Sequence, residues 1–306
     1  MNCMRCKRKA VFELRYSGHW LCRKHFIELF ERRVKKNIRQ GKLIEKDDVV
    51  LVGLSGRKDS MVVLKILNDI MRVNPNCRLV AVSVDEGIRG KSLRGAIKYC
   101  ESIGVEHRLV TFKEYFGLDI DDVVEKVESD CVPACSVCGV LKRRLLNDYA
   151  DKIGATKVAT GYNLDDEIQS AFMSILGGDL QSIGRLWSGT GVLRRRSFIP
   201  QIKVLRECPE EEVQLYAKLM KLPHTKSRCP YARTSYRTTV RDLLNSLEKN
   251  HPGSKYQMLR SSDEFAKIMG TQLGRKHPGE CSLCGEPSSG KKCTTCQLIE
   301  GIKVLP

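Results

Sequence analysis

The chain lacks any long hydrophobic run, since no stretch of about 18 consecutive apolar residues occurs in it. A helix needs about that length to cross a bilayer, so no segment is predicted to span a membrane. The N-terminal sequence MNCMRC also lacks the apolar segment of a secretory signal peptide. We therefore expect a cytoplasmic protein.

Acidic residues are scarce relative to basic ones. The 306 residues include 36 Asp and Glu against 53 Lys and Arg, which gives a formal net charge of +17. This balance favours a polyanionic partner, most simply nucleic acid, because binding to phosphates releases condensed counterions. A basic protein without such a partner is the alternative that composition leaves open.

Disulfides are not expected among the 14 cysteines, because cytoplasmic cysteines more often bind metals or carry redox chemistry. Two ligand pairs near each end of the chain have the two-residue spacing of zinc knuckles. Four soft or borderline ligands complete the tetrahedral shell of Zn²⁺, so each site is predicted to be structural. The predicted ligands are Cys3, Cys6, Cys22 and His25 at the first site and Cys281, Cys284, Cys293 and Cys296 at the second. The second site, a zinc ribbon, either grips RNA or a partner subunit or only stabilises its own segment.

Three regions are predicted: a zinc module with a basic helix over residues 1–46, a central domain over 47–249, and a helix with the zinc ribbon over 250–306. Apolar strands alternate with helical patterns in the central domain. This order predicts an α/β fold with a doubly wound parallel sheet, in which ligands bind at the carboxyl ends of the strands. The residues expected at that edge are Ser55, Ser83, Asp85 and Gly161.

Residues 49–60, with the sequence VVLVGLSGRKDS, are predicted to form a strand, a small-residue turn and the start of a helix. Backbone N–H groups at a helix N-terminus attract anions, and Lys58 adds a positive charge. Ser55 and Ser60 supply hydroxyl donors. The segment therefore predicts a phosphate-binding loop, although it lacks the spacing of a Walker loop.

Two carboxylates, Asp165 and Asp166, follow the predicted strand that ends at Gly161 and open the next helix. Carboxylates at this edge of the sheet are suited to hold Mg²⁺ beside a pyrophosphate or to accept a proton. We expect Asp165 to cap its helix and Asp166 to take part in the chemistry.

Cys131, Cys135 and Cys138 have the spacing of a radical-SAM cluster motif, but the phosphate loop before them argues against that class. Cys135 and Cys138 can instead join Cys229, which precedes a proline, as cluster thiolates often do. Three thiolates leave one iron of a [4Fe–4S] cluster open to bind sulfur. A zinc site, and a cysteine pair that passes sulfur as a persulfide, are the other interpretations. The part played by Cys131 stays open.

Several motifs together resemble a known family. The SGRKDS loop resembles that of the PP-loop ATP pyrophosphatases, which cleave ATP between the α- and β-phosphates. With the PACSVCG, TGYNLDD and RCPY segments and the N-terminal zinc ligands, the whole chain is similar to the TtuA-type tRNA 2-thiouridine synthetases, which include wobble-uridine thiolases of archaea and eukaryotes. Tyr162 stands where that family usually has His, so a role for that imidazole is not implied.

The resemblance implies an adenine nucleotide alpha-hydrolase-like fold and assigns a site. Cys135, Cys138 and Cys229 would hold an oxygen-sensitive [4Fe–4S] cluster. Lys142 and Asp166 would be catalytic, although Lys142 would also suit a solvated or RNA-facing helix surface. ATP and Mg²⁺ would bind at the phosphate loop. The expected ATP-binding residues are Gly53, Leu54, Ser55, Gly56, Lys58, Asp59, Ser60, Ser83, Lys142 and Gly161.

The implied reaction is 2-thiolation of a tRNA uridine, at position 54 or at the wobble position 34. Uridine O2 would attack the α-phosphate of ATP and release pyrophosphate, and sulfur would then replace the adenylated oxygen with release of AMP. The sulfur donor would be inorganic sulfide or the thiocarboxylate of a ubiquitin-like carrier protein, and the enzyme would be a homodimer. The alternatives are a cysteine persulfide relay without iron and a non-catalytic zinc-ribbon RNA-binding protein.

Overall fold

The structure is a computed structural model that describes most of the chain. The described residues are 1–126, 134–179, 199–225, 229–231, 236–272, 279–288 and 290–304. Cys131 lies outside them.

Nine strands occur in these ranges. They are β1 Phe12–Leu14, β2 His19–Leu21, β3 Val49–Gly53, β4 Arg78–Asp85, β5 Glu106–Thr111, β6 Lys157–Ala159, β7 Gln201–Ile202, β8 Gly279–Glu280 and β9 Pro287–Ser288. β1 pairs with β2 and β8 with β9 in two antiparallel hairpins. The other five strands form one parallel sheet in the order β5-β4-β3-β6-β7, which confirms the predicted sheet.

The same part of the chain contains eleven helices. They are α1 Arg23–Gln40, α2 Lys58–Met71, α3 Arg94–Ser102, α4 Phe112–Phe116, α5 Ile120–Lys126, α6 Ala134–Lys152, α7 Leu164–Leu176, α8 Glu210–Leu219, α9 Tyr236–Asn250, α10 Ser254–Gln272 and α11 Thr294–Val304. None of the helices in the described ranges is long and apolar enough to cross a membrane.

Alternate residues of β3 face opposite sides of the sheet, as the pleat requires. Val50 and Val52 belong to one hydrophobic cluster, together with the apolar side of α2. Leu51 belongs to a second cluster, together with the apolar side of α6. All three strand residues are fully buried, which explains why the strand is a continuous apolar run in the sequence. Both faces of the sheet are covered, as predicted for a doubly wound fold.

The N-terminal module shares the first of these clusters. Phe26 and Phe30 of α1 are at most 1% exposed and lie in the same cluster as Tyr216 of α8. The rings of Phe30 and Tyr216 stack with their centroids 4.5 Å apart. Because burying such a side chain contributes about 1.5–3 kcal/mol, these contacts fix α1 against the sheet domain.

The start of α6 differs from the sequence pattern, which predicts a helix over residues 140–153. Within the described residues the helix already covers Ala134, because the buried stripe of Leu141 and Leu145 continues one turn earlier through Val137. Cys135 and Cys138 therefore lie on a helix and not in a loop before it.

The helix expected around Phe265 is also longer than predicted, since α10 covers Ser254–Gln272. α9 and α10 pack on α7 through a third cluster. Its buried members are Leu164, Ile168, Val240, Leu244 and Leu259. The domain boundaries at residues 46 and 249 stay predictions.

Candidate active site

The carboxyl ends of β3, β4 and β6 meet at one edge of the parallel sheet. Gly53 at the end of β3 pairs with Val82, and Val52 pairs with Ala159 at the end of β6. A cavity opens beyond these strand ends, and its lining includes Ser55, Glu86 and Lys142. The site is therefore where a doubly wound sheet is expected to bind its ligand.

The loop from Ser55 to Ser60 turns sharply into α2. Gly56 has a φ of +75°, in the left-handed region where a side chain would be strained. The N-cap residue, Arg57, makes no side-chain cap hydrogen bond, so the N–H groups of the first turn can bind an anion. The hydroxyls of Ser55 and Ser60 lie 3.1 Å apart at the same turn. The loop thus has the donors that a phosphate needs.

Lys58, the first residue of α2, contacts two carboxylates. Its Nζ lies 3.1 Å from Asp59 and 2.8 Å from Glu210, the first residue of α8. Burial disfavours the ammonium, but attraction to Asp59 and Glu210 outweighs it and raises the pKa of Lys58. Lys58 therefore keeps its positive charge at neutral pH. Sequence analysis missed Glu210, which lies 152 residues further along the chain.

Gly161 lies where the chain leaving β6 meets the phosphate loop. A Cβ atom at this position would lie 3.0 Å from the backbone nitrogen of Ser60 and 3.1 Å from the carbonyl carbon of Asp59. Glycine is therefore needed for this close approach. Asn163 adds a hydrogen bond from its Nδ2 to Asp59 at 3.1 Å. The end of β6 and the phosphate loop form one unit.

Asp165 does not have the role expected from its position. The N-cap of α7 is Asn163, whose side chain accepts from the backbone N–H of Asp166 at 3.1 Å. Asp165 instead forms an ion pair with Lys255 and accepts from the backbone N–H of Glu210 at 2.7 Å. The prediction that Asp165 caps its own helix is therefore wrong: its carboxylate satisfies the first N–H of α8.

Asp166 and Asn163 bond to each other's backbone N–H and so form a capping box, and the pKa of Asp166 is raised. Its carboxylate accepts from the backbone N–H of Asn163 at 3.2 Å. Burial raises the pKa of Asp166 to about 6, the bond from Asn163 opposes the shift, and the negative charge of Asp59 adds to it. A carboxyl group with a pKa near neutrality can accept and return a proton.

Glu86 is a site residue that sequence analysis missed. It directly follows β4, is 1% exposed, and forms ion pairs with Lys91 and Lys142. Burial disfavours its charge, but the two lysines outweigh burial and lower the pKa of Glu86. Burial also disfavours the charge of Lys142, yet attraction to Glu86 outweighs this and raises the pKa of Lys142. The sequence signal that could have identified Glu86 is its position, since it is an acidic residue next to Asp85 and directly follows a buried strand.

The side chains of Ser83 and Asp85 have other partners. Ser83 is fully buried, and its hydroxyl forms a hydrogen bond with Nε2 of His107 at 2.9 Å. Asp85 accepts from the backbone N–H of Gly87 at 3.0 Å, which stabilises the turn after β4. A contact between Ser83 and ATP stays a prediction.

Cys135 and Cys138 lie in the first turns of α6, and Lys142 follows one turn after Cys138. The thiol of Cys135 donates to the carbonyl oxygen of Tyr231, two residues after Cys229, at 3.5 Å. Burial raises the pKa of Cys135 and of Cys138, and the negative charge that Cys229 can carry raises both further. Cys135 and Cys138 thus lie near Lys142 on α6, and Cys229 is close enough for its charge to act on both thiols. Among the described residues, these three cysteines do not form a set whose ligand atoms all lie within 4.8 Å of one another.

This donor set fits a [4Fe–4S] cluster. Its donors are three thiols from two separate segments of the chain. Cys135 is exposed, so one side of the set can be reached from solvent. A cluster bound by three thiolates keeps one iron open, and its several irons spread the ligands more widely than one zinc ion does.

The two terminal ligand sets are much tighter. In each set the four ligand atoms all lie within 4.8 Å of one another, so both fit zinc-binding modules. In the first set, Sγ of Cys3 lies 3.2 Å from Nδ1 of His25. The second set contacts α6, because Arg144 donates to Sγ of Cys284 at 3.3 Å and to Asp148 at 2.5 Å. The C-terminal ribbon therefore lies against the helix that carries Cys135, Cys138 and Lys142.

Comparisons with known families agree with this arrangement. Residues 27–248 match the family described as "PP-loop domain", and residues 2–27 match "2-thiouridine synthetase TtuA, N-terminal LIM domain". The fold and site thus define a PP-loop protein with an N-terminal zinc-type module. The chain belongs to the TtuA/NcsA branch of the PP-loop family, which confirms the predicted resemblance.

Individual relatives match over nearly their full length. The chain is 38% identical to "tRNA 2-thiolation protein NcsA" of Haloferax volcanii, with 100% of both chains covered. It is 34% identical to "tRNA-5-methyluridine(54) 2-sulfurtransferase" of Pyrococcus horikoshii, with 97% of this chain and 93% of the relative covered. Among solved structures, the U34-tRNA thiolase NcsA of Methanococcus maripaludis with its [4Fe–4S] cluster matches with a TM-score of 0.85 and 33% identity, over 100% of this chain and 98% of that one.

Proposed function

We propose that this protein is a tRNA-uridine 2-sulfurtransferase that activates its substrate with ATP. The observation that supports this best is the position of α6, whose first turns carry Cys135, Cys138 and Lys142 at the strand edge where the phosphate loop lies. A sulfur-handling set and a nucleotide-binding loop share one site. The formal net charge of +17 suits a tRNA substrate.

In the first step, the phosphate loop holds ATP. The N–H groups at the start of α2, the hydroxyls of Ser55 and Ser60 and the ammonium of Lys58 bind the phosphates. Uridine O2 attacks the α-phosphorus, the bond from that phosphorus to the bridging oxygen breaks, and pyrophosphate leaves. Asp166 accepts the N3 proton of the uridine as this bond forms, which its pKa of about 6 permits at neutral pH. The carboxylates beside the phosphate loop would hold Mg²⁺, which would supply positive charge against the leaving pyrophosphate.

In the second step, a sulfur nucleophile adds to C2 of the adenylated uridine. The C2–O bond breaks and AMP leaves with the oxygen that was uridine O2. Lys142 lies between the phosphate loop and the cysteines, so its ammonium can stabilise negative charge on the departing AMP. The uridine regains a proton at N3.

Cys135, Cys138 and Cys229 would hold the [4Fe–4S] cluster, and the cluster would supply an iron site for a sulfur species. The persulfide relay without iron is less well supported, because the solved relative named above carries a cluster. Cys3, Cys6, Cys22 and His25 would hold one zinc ion and the four C-terminal cysteines another. The donor is inorganic sulfide or the thiocarboxylate of a ubiquitin-like carrier, and the enzyme acts as a homodimer.

The test is nucleoside mass spectrometry of unmodified tRNA after anaerobic incubation with iron-reconstituted protein, ATP, Mg²⁺ and sulfide. We expect a 2-thiouridine or its 5-methyl derivative, and fragment mapping assigns position 34 or 54, the positions named for relatives. Cys135→Ala and Asp166→Ala should abolish the product.

Cys77→Ala is the matched control for this experiment. Cys77 is partly exposed, and its sulfur accepts a hydrogen bond from Nδ2 of Asn74. It lies directly before β4 and therefore away from the carboxyl ends of the strands. ATP turnover without any thionucleoside would contradict the proposal. So would an equal loss of product in the Cys77 and Cys135 variants.

A further inference from the structure

Glu86 is a buried carboxylate that pairs with two partly exposed lysines, Lys91 and Lys142. Only 2% of its side chain is exposed, and both ammonium groups contact its carboxylate. We propose that Glu86 is a positioning residue: it holds the ammonium of Lys142 ready at the edge of the nucleotide cavity and releases it toward the substrate phosphate, while Lys91 remains to neutralise Glu86. This inference rests on the proposed function.

The two lysines are held differently. Lys91 has a second partner, since its Nζ also donates to the carbonyl oxygen of Val84 at 3.1 Å, and its side chain is 19% exposed. The side chain of Lys142 is 33% exposed, and the ion pair with Glu86 is its salt bridge within the described residues. Lys91 is therefore the anchored cation and Lys142 the one that can move.

A second cation at Glu86 has a clear physical use. A buried carboxylate that loses its counter-charge is strongly destabilised, which would keep a lone Lys142 locked in place. With Lys91 anchored, Glu86 stays paired when Lys142 turns away. The movement is short, because Glu86 and Lys142 line the same cavity as Ser55 and so face the phosphate loop.

A purely structural role for Glu86 makes a different prediction. The carboxylate would then serve to fix the turn after β4 through Lys91, and Lys142 would be an incidental neighbour. Removing it would loosen the whole strand edge, including Lys58 and its partners.

The first test measures how fast individual lysines react. Full-length protein is pulsed with acetic anhydride at neutral pH, and acetylation of each lysine is read by peptide mass spectrometry. In Glu86→Gln we expect Lys142 to react about fivefold to tenfold faster, because it loses its counter-charge. Lys58 is the internal control: it is equally an ion-paired site lysine, but its partners are Asp59 and Glu210. Equal acceleration of Lys58 and Lys142, or no acceleration of Lys142, would overturn the proposal.

The second test is a double-mutant cycle on pyrophosphate release. We expect Glu86→Gln to lower kcat about tenfold while KM for ATP changes less than about threefold. In the Lys142→Ala background the same change should add less than about twofold, because a positioning residue acts through its partner. Additive losses would contradict the assigned role.

Glu86→Gln leaves two partly exposed lysines without their shared carboxylate, so it can lower stability. The double variant Glu86→Gln with Lys91→Met removes one negative and one positive charge, so it limits this loss of stability. The double variant should still label Lys142 faster than the unsubstituted protein does, but less so than Glu86→Gln alone, because the repulsion between Lys91 and Lys142 is also removed. Labelling does not depend on thiolation, so failure of the positioning role and failure of the proposed reaction give different results.

Discussion

The three metal-ligand sets of this protein differ in how fully they are enclosed. Each four-ligand set contains two buried cysteines, Cys3 and Cys22 in the first and Cys281 and Cys293 in the second. In the three-cysteine set, Cys135 is exposed and the other two are partly exposed. A closed tetrahedral set can only stabilise, whereas a three-ligand set beside a lysine and a phosphate loop can meet a substrate. We propose that this difference separates two structural metal sites from one chemical site within a single chain.

The largest expected effect comes from breaking the open set. Cys229→Ala removes one of three ligands, so we expect thiolation to fall by about 1000-fold or more and the visible absorption of the cluster to be lost. The free energy of unfolding of the iron-free protein should change by less than about 1 kcal/mol, since Cys229 belongs to none of the hydrophobic clusters of the described residues. The measurements are nucleoside mass spectrometry and denaturant unfolding. A variant that keeps its absorption and product would show that Cys229 is not a ligand.

The next largest effect comes from breaking a closed set. Cys22→Ala should lower the free energy of unfolding by about 3–5 kcal/mol, because Cys22 is a zinc-type ligand and belongs to the main hydrophobic cluster with Phe26 and Phe30. Cys293→Ala is the comparison variant, and it should cost less because its ribbon lies outside that cluster. Urea unfolding followed by circular dichroism measures both. Equal losses would mean that the two closed sets are equally integrated.

The smallest expected effect is the dependence of the thiolation rate on pH, which we attribute to Asp166 and not to the two four-ligand sets. Its pKa is about 6 in the folded protein, against 3.8 for the reference carboxyl. As a base it must be ionised, so the thiolation rate should fall about tenfold per pH unit below about pH 6. Rates measured from acid to neutral pH, with the fold monitored by circular dichroism, test this. A flat acidic limb would remove Asp166 from the proton transfer.

The same raised pKa has a consequence for stability. A carboxyl group with a raised folded-state pKa stabilises the fold below its unfolded pKa and loses that contribution as pH rises through about 6. Asp166→Asn should therefore gain about 2–3 kcal/mol relative to the native protein between about pH 4 and pH 7. Urea unfolding at both pH values checks the sign. A relative loss of stability in the variant on going to pH 7 would contradict the assigned pKa.

Features that depend on near neighbours in the chain could be predicted from the sequence. β4 runs over the predicted residues Arg78–Asp85, and β3 ends at Gly53 as expected. The zinc-type ligand pairs are also local, because a two-residue spacing already places two ligands on one metal. Such features follow from propensity, periodicity and spacing alone.

Features that depend on distant parts of the chain could not be predicted. Glu210 reaches Lys58 because α8 packs beside α2, and Asp165 serves α8 and not its own helix. The importance of Glu86 over Asp85 depends on which side chain points to Lys142. No periodicity encodes these pairings, since they follow from strand order and helix packing.

The most direct test of the account is a metal analysis of protein purified without oxygen. We expect about four irons and about two zinc ions per chain, and in Cys135→Ala the iron should be lost while both zinc ions stay. That result would show that the open set and the closed sets hold different metals for different purposes. Zinc bound at the three-cysteine set, or iron that persists in Cys135→Ala, would contradict the central claim.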